Sequence, residues 1–171
     1  MGDSAPPHIG CGAFNARSLE DLPDGVVHRF LVGEDAAPVR LSAEEARATL
    51  GDRFAELLLL EGRFPSTAAE VIDELQATAG DDSLAARFFV LGEGSLLPPD
   101  VDAARPMRFV VALGGGPEGP AVVISSFAPH EPEVELMAWD TRAGGFNFYR
   151  TVGPTGVWVF AGNSRHALGA C

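Results

Sequence analysis

Hydrophobic positions recur with one period in the first half of the chain and another in the second. Between residues 42 and 79, apolar side chains recur at helical spacing in two segments. Ser42 and Glu45 form a capping box before the first segment, and Thr67 and Glu70 stand in the same register before the second. Only about five residues join the two predicted helices, a length that favours antiparallel packing. The pattern therefore predicts a helical hairpin.

The first predicted helix runs from Ser42 to Gly62, where a glycine ends it. The second runs from Thr67 to Gly80. Five apolar positions are expected to be buried in the hairpin, namely Phe54, Leu57, Leu58, Val71 and Leu75.

Short strands separated by glycine- and proline-rich turns replace the helical pattern after residue 106. The short linkers indicate an antiparallel meander, because parallel crossovers need longer connections. Two further strands are expected at 26–32 and 88–91. We predict an α+β fold, with a five- to seven-stranded antiparallel meander packed against an N-terminal helical hairpin. The meander strands are predicted at 107–113, 121–127, 133–140, 145–150 and 156–162.

The chain is 171 residues long, which suits one domain with a substantial core. Residues 1–25 are rich in proline and glycine and are predicted to form an irregular arm. Residues 26–91 then hold the first strand and the hairpin, and residues 107–162 hold the meander. The connector at 92–105 is too short, and its flanking segments too small, to mark a domain boundary.

The turn at 141–144 sets a register in the meander. It places Trp139 opposite Phe146 and Glu135 opposite Arg150, which are an aromatic pair and an opposite-charge pair. Extending the register makes both sheet faces apolar, and the hairpin can cover only one of them. The other face must meet loops, a partner subunit or a ligand. The face shared with Trp139 is predicted to carry Phe109, Val111, Leu113, Val123, Ser125, Val159 and Ala161.

Composition and charge exclude several classes of function. All 12 basic residues are arginine, so lysine-dependent chemistry is absent, and the net charge of −12 opposes binding to nucleic acid or an anionic membrane. No signal-peptide pattern or apolar run of spanning length is present. Cys11 and Cys171 are then expected to be free thiols in a cytoplasmic protein. The rich use of Ala, Arg and Gly suggests a GC-rich bacterial genome.

Candidate chemistry gathers near the predicted strand ends. His166 could serve as a general base oriented by Asp140 or Asn163, with Tyr149 as a further catalytic candidate. The alternative is that His166 lies in a frayed C-terminal tail. The predicted ligand-binding residues are Arg150, Glu135, Asn147, Trp139, Trp158, Asn163 and Arg165.

No metal or cofactor is expected. The four histidines lack metal-binding spacing, and Gly114–Gly116 is followed by Pro117 and Pro120 rather than by a helix that could bind phosphate. For Glu135 and Arg150, the alternative to a buried pair is a solvent-exposed pair of little energetic value.

The order of a strand, two helices and a run of antiparallel strands resembles the helix-grip ligand-binding fold. That resemblance implies a curved sheet around an apolar cavity. The chain departs from the family because only about nine residues follow its last predicted strand, where the family has a long helix. Residues are not transferred on element order alone.

Two hypotheses on function follow. In the first, the protein binds a small hydrophobic molecule, either as a simple binder or as a lyase or isomerase performing acid–base, cyclisation or dehydration chemistry. In the second, it is a non-enzymatic interaction or inhibitor module that docks through an exposed apolar sheet face. The acidic composition would then suit a basic partner, and a homodimer is a further option.

Overall fold

The computed structural model describes residues 27–30, 38–79, 84–92, 107–114, 121–126, 128–152 and 157–167. The fold is α+β, with the helices preceding an open antiparallel meander, as the sequence predicts. The predicted N-terminal arm and both cysteines lie outside the described residues. The strands are β1 (Val27–Phe30), β2 (Pro38–Arg40), β3 (Ala86–Gly92), β4 (Met107–Leu113), β5 (Val122–Ser126), β6 (Val134–Asp140), β7 (Gly145–Val152) and β8 (Val157–Asn163).

Eight strands form one sheet in the order β2-β1-β8-β7-β6-β5-β4-β3. Strands β3 to β8 make a six-stranded antiparallel meander, in which each strand pairs with the next along the chain. Strand β1 extends it by pairing parallel to β8, and β2 pairs antiparallel to β1. The sequence pattern predicts β1 but misses β2, because three residues are too few to display alternation.

The helices are α1 (Ala43–Thr49), α2 (Arg53–Leu57), α3 (Ala68–Ala79) and α4 (Ser164–Ala167), with a 3₁₀ helix at Leu59–Glu61. The capping box at Ser42 and Glu45 is confirmed, as is the left-handed Gly62 that ends the first arm. Thr67 Oγ1 accepts a hydrogen bond from the Glu70 backbone N–H at 3.2 Å, as its register predicts.

The first arm of the hairpin is not the single helix that the apolar spacing predicts. It breaks at Leu50, whose backbone is extended, and restarts at Asp52, whose carboxylate caps α2 by accepting from the Ala55 N–H at 2.9 Å. Between them, the Gly51 N–H donates a hydrogen bond to the Asp140 carboxylate on β6 at 2.7 Å. A tertiary hydrogen bond thus replaces a helical one.

The main core lies between the helical layer and one face of the sheet, termed here the covered face. Phe54 is fully buried, with its ring 5.1 Å from that of Tyr149 and 4.7 Å from that of Trp158. The Trp158 indole N–H donates to the Pro65 carbonyl at 2.8 Å, which ties β8 to the start of the second helical arm. The predicted burial of four hairpin residues is confirmed, whereas Leu57 is half-buried; the four are Phe54, Leu58, Val71 and Leu75.

The predicted register of the β6–β7 turn is confirmed. Trp139 pairs with Phe146, with ring centroids 5.1 Å apart, and Glu135 pairs with Arg150. The face predicted for β4 is wrong. Phe109, Val111 and Leu113 lie on the covered side, because they pair with alternate residues of β5 from Ser126 to Val122. The long loop between β4 and β5 does not fix the register, and a shift of one residue exchanges the two faces.

Candidate functional site

The predicted site residues lie on opposite sides of the sheet. The covered face carries Asp140, Asn147, Tyr149, Trp158 and Asn163, which are all buried. The other face, termed the open face, carries Glu135, Trp139 and Arg150. Arg165 is exposed in α4. His166 belongs to the same helix, but its side chain lies outside what the structure describes.

Five buried side chains under the helical layer form a continuous hydrogen-bonded group, termed the buried polar network; they are Asp52, Asp140, Asn147, Tyr149 and Asn163. The Asn147 amide nitrogen lies at its centre and donates to Asp52 Oδ2 at 2.7 Å and to Asp140 Oδ2 at 2.9 Å. The Asn163 amide donates to Asn147 Oδ1 at 2.8 Å. The Tyr149 hydroxyl donates to Asp52 Oδ2. One amide therefore holds two carboxylates from different elements.

The surroundings of the Asp140 carboxyl group favour its ionised form. Burial acts to raise its pKa, but backbone N–H groups of Ala143, Gly51 and Arg142 and the Asn147 amide donate to the carboxylate. Together these donors hold the pKa of Asp140 below its ordinary value of 3.8. The carboxylate thereby closes the β6–β7 turn and anchors the break between α1 and α2.

The pKa of Asp52 is shifted in the opposite direction. Burial raises the pKa of Asp52 above 3.8, and hydrogen bonds from Asn147, Tyr149 and the Ala55 N–H only partly offset this. The nearby Asp140 charge adds to the increase. Burial and the Asp52 charge also raise the pKa of the Tyr149 hydroxyl well above 10.0. Two carboxyl groups that share one amide donor thus have different tendencies to ionise.

The buried polar network is enclosed by protein. Each of its five side chains has its partners inside the network or on the adjoining backbone, and each is buried beneath the helical layer. Such an arrangement pins the break at residues 50–52 to the sheet and satisfies every charge it buries. In the described conformation, the hydrogen bonds of the Asp140 carboxylate and the Tyr149 hydroxyl are made to groups of the protein itself.

Sequence analysis misses Asp52, the residue that joins the helical layer to the network. The apolar spacing places Asp52 inside one continuous helix. The signal lies in the Gly51-Asp52 pair, since a glycine followed by a capping residue is typical of a helix break.

The segment after β8 packs against the β6–β7 turn. Ser164 Oγ accepts from the Phe146 N–H at 2.8 Å, and Asn163 Oδ1 accepts from the Arg165 N–H at 3.0 Å. A Cβ at Gly145 would lie only 2.5 Å from Asn163 Oδ1, so glycine is required at this close approach. The Ser164 hydrogen bond holds the start of α4 against β7.

The open face is apolar and partly exposed across β4 to β7. Phe148 is 37% exposed, and its neighbours on this face are half-buried. At the β8 end, by contrast, Val157 and Val159 are fully buried. The apolar side chains of the accessible part are Val110, Ala112, Val123, Met137, Trp139, Phe146 and Phe148.

Charged groups cross the open face as one row. Arg108 Nη1 donates to Glu135 Oε2 at 2.6 Å and to Ser125 Oγ at 3.1 Å. Arg150 stands opposite Glu135 on the next strand. Partial burial lowers the pKa of Arg150 from 12.5, and the Glu135 charge acts against this. The expected Glu135–Arg150 register is present, and Arg108 makes a short ion pair with Glu135.

Within the described residues, no group of three or more His, Cys, Asp or Glu side chains is placed to hold a metal ion. None of the described helices is long and apolar enough to cross a membrane. Within the described residues, the helix that follows β8 is the four-residue α4. No protein-family model, curated protein or solved structure matches the chain.

Proposed function

We propose that the protein is an interaction module that binds another protein through the open face of its sheet. The observation that carries this proposal is the half-exposed set of Met137, Trp139, Phe146 and Phe148. Exposed apolar patches on soluble domains commonly mark binding surfaces. Aromatic residues, methionine and arginine are the types enriched at the centres of protein interfaces, whereas lysine is depleted.

The distribution of charge indicates what kind of surface the partner should present to the open face. In residues 43–79 carboxylates outnumber arginines eight to three, whereas the open side of β3 to β7 carries Arg87, Arg108 and Arg150 against Glu135 alone. Net charge alone predicts a basic partner, but the charge on the open face favours a partner patch with an apolar centre and carboxylates around it.

Affinity capture from the source cells, followed by reconstitution with the purified captured protein, tests the proposal. Phe148→Arg places a charge in the middle of the open face and should raise the Kd by about tenfold or more in calorimetry. Phe109→Arg is the matched control, because Phe109 is 40% exposed but lies on the covered side of β4.

A reconstituted complex that Phe148→Arg weakens and Phe109→Arg leaves unchanged supports the open face as the binding surface. The proposal fails if no captured protein binds again when purified. It also fails if the two substitutions weaken binding equally.

A small-molecule function is the second candidate, and the raised pKa of Asp52 beside Tyr149 is the observation that favours it. Carboxyl groups with perturbed pKa values are frequent at functional sites. Native mass spectrometry of protein purified from its own host separates the candidates. A retained ligand that Tyr149→Phe releases favours this function, whereas a retained protein partner without a ligand favours the interaction module.

A further inference from the structure

The two edges of the sheet differ in how readily they can pair with another strand. One edge is β2, which has three residues and begins at Pro38, two features that discourage pairing. The other edge is β3, whose seven residues include no proline, no lysine and no carboxylate and pair with β4 without a bulge. The β3 edge therefore lacks the features that usually prevent a further strand from joining a sheet.

Alternate residues of β3 direct their backbone groups away from the sheet. The Gly114 N–H donates to the Ala85 carbonyl at 3.1 Å, which fixes the phase of the hydrogen bonds between β3 and β4. Positions 87, 89 and 91 then bond to β4, and the N–H and C=O groups of positions 86, 88, 90 and 92 point outward. Within the described residues, no strand pairs with this outer side.

The charge beside the β3 edge is positive. Arg87 is the one charged residue of β3, and it is exposed on the open side of the strand. Strand β4 adds Arg108 and no carboxylate, but Arg108 already pairs with Glu135 at 2.6 Å. Among the described residues, no carboxylate forms an ion pair with Arg87. Arg87 is therefore the cation that an incoming strand would meet.

The carboxylates of the helical layer lie on the other side of the sheet. In residues 43–79 carboxylates outnumber arginines eight to three, and this layer packs on the covered side, opposite to Arg87. Their repulsion of an acidic segment acts over a longer distance, where salt screens it, whereas the attraction to Arg87 is direct. The local charge thus favours an acidic segment. A second copy of β3 carries an arginine and no carboxylate, so it lacks the complementary charge.

Two exposed phenylalanines flank the edge on both sides of the sheet. Phe88 is 71% exposed on the covered side, and Phe89 is 50% exposed on the open side, two positions from Arg87. These are the two most exposed of the large hydrophobic residues described. A strand lying beside β3 would place alternate side chains near Arg87 and Phe89 on one side and near Phe88 on the other. The edge therefore suits a segment in which carboxylates alternate with apolar residues.

We propose that β3 binds an extended acidic segment of another protein, which joins the sheet as a further antiparallel strand. The four outward residues of β3 offer roughly eight backbone groups for hydrogen bonds. These bonds supply affinity without regard to sequence, whereas Arg87 and the two phenylalanines select a carboxylate with apolar neighbours. The backbone contacts lie in the plane of the sheet, so binding here does not require the surface proposed around Phe148.

Selection of random peptides displayed on phage, each longer than the seven residues of β3, tests the proposal on the full chain. Enriched peptides should carry carboxylates among alternating apolar residues and should lack proline in the paired segment. The most enriched peptide is then synthesised, and its Kd is measured by fluorescence anisotropy at about 150 mM salt. A selection that enriches no peptide, or that enriches basic peptides, overturns the proposal.

Substitutions in β3 separate the backbone contribution from the charge. Phe88→Pro removes an outward N–H without breaking the β4 ladder, and should raise the peptide Kd by more than about tenfold. Phe88→Val is the matched control that keeps the N–H and should raise the Kd much less. Arg87→Glu should raise the Kd by about tenfold, and exchanging the peptide carboxylate for lysine should restore binding to that variant.

Circular dichroism establishes that each variant is folded. Hydrogen exchange of the wild type needs no variant, because the amides of residues 88 and 90 should gain protection when the peptide is added. The proposal is wrong if a folded Phe88→Pro variant binds as tightly as the wild type, or if Phe148→Arg weakens peptide binding as much as Phe88→Pro does. It is also wrong if protection of these amides rises with protein concentration alone, since a second copy would then occupy the edge.

Discussion

Both faces of the sheet carry many apolar residues, but these residues are buried to different degrees. Trp158 of the covered face and Phe54 of α2 are fully buried, and their rings are in edge-to-face contact. On the open face, Trp139 and Phe146 make a similar aromatic contact but stay half-buried. The covered face also encloses the buried polar network, whereas the charged row of the open face reaches solvent through Glu135.

A strand rich in hydrophobic residues can therefore contribute to a buried core or to a partly exposed face. The buried apolar residues of the covered face, such as Trp158, are fixed by the helices and by polar groups that must be satisfied once buried. Apolar residues on the open face have no helical layer against them within the described part of the chain. Burial, rather than hydrophobicity, distinguishes the core from a binding surface.

The largest expected difference between the faces is the cost of truncating a phenylalanine. Phe54→Ala should reduce the free energy of unfolding by about 3 to 5 kcal/mol, because it leaves a cavity between Tyr149 and Trp158. Phe148→Ala is the matched change on the open face and should cost less than about 1 kcal/mol. Urea denaturation of both variants measures the two values. Similar losses would mean that the open face is packed.

The next effect concerns the buried polar network. Asp140→Ala removes the acceptor for the N–H groups of Gly51, Arg142 and Ala143, and should cost about 2 to 4 kcal/mol. Asp73→Ala removes a carboxylate from an exposed position of α3 and serves as the control, with an expected change below about 0.5 kcal/mol. If denaturation gives equal losses, the network does not hold the helical layer on the sheet.

The sequence predicts much of this fold because its signals are local. The capping residues before α1 and α3 and the turn between β6 and β7 set their own geometry, so the hairpin and the pairing of Trp139 with Phe146 follow from neighbouring residues. The face of β4 does not follow, because the loop before β5 is long enough to allow either register.

The candidate site depends on contacts between distant segments, which local patterns cannot supply. Asp52 and Tyr149 are far apart in sequence, and nothing near either residue reveals that they share a hydrogen bond. Side chains alternate between the two faces along the β6–β7 hairpin, so the sequence pattern can place Asp140 and Arg150 on opposite faces. Whether a face is covered is decided by the helices, and so the burial of Asp140 and Tyr149 is visible only in the structure.

The two carboxyl groups of the network should respond to pH with opposite signs. The lowered pKa of Asp140 provides stability above 3.8 that is lost as pH falls through its folded value, so Asp140→Asn should cost more at neutral pH than in acid. The raised pKa of Asp52 favours the folded state most below 3.8, and this benefit is lost as pH rises through its folded value. Asp52→Asn should therefore become less harmful as pH rises.

Urea denaturation of the wild type and both variants from about pH 2.5 to 7 measures these trends. The stability difference between wild type and variant should grow with pH for Asp140→Asn and shrink for Asp52→Asn. Parallel trends would show that the two carboxyl groups ionise alike, in contradiction to their different surroundings.

The smallest expected effect belongs to the charged row of the open face. Glu135 is 60% exposed, so water screens its ion pair with Arg108, and the side-chain order that the pair requires offsets part of the attraction. Glu135→Gln keeps the shape and one acceptor while removing the charge, and should change the free energy of unfolding by less than about 0.5 kcal/mol at any salt concentration. Urea denaturation at low and high salt measures this, with Asp140→Asn as the buried counterpart. A loss above about 1.5 kcal/mol would place the row among the structural groups, and the charges of the open face would then serve the fold rather than a partner.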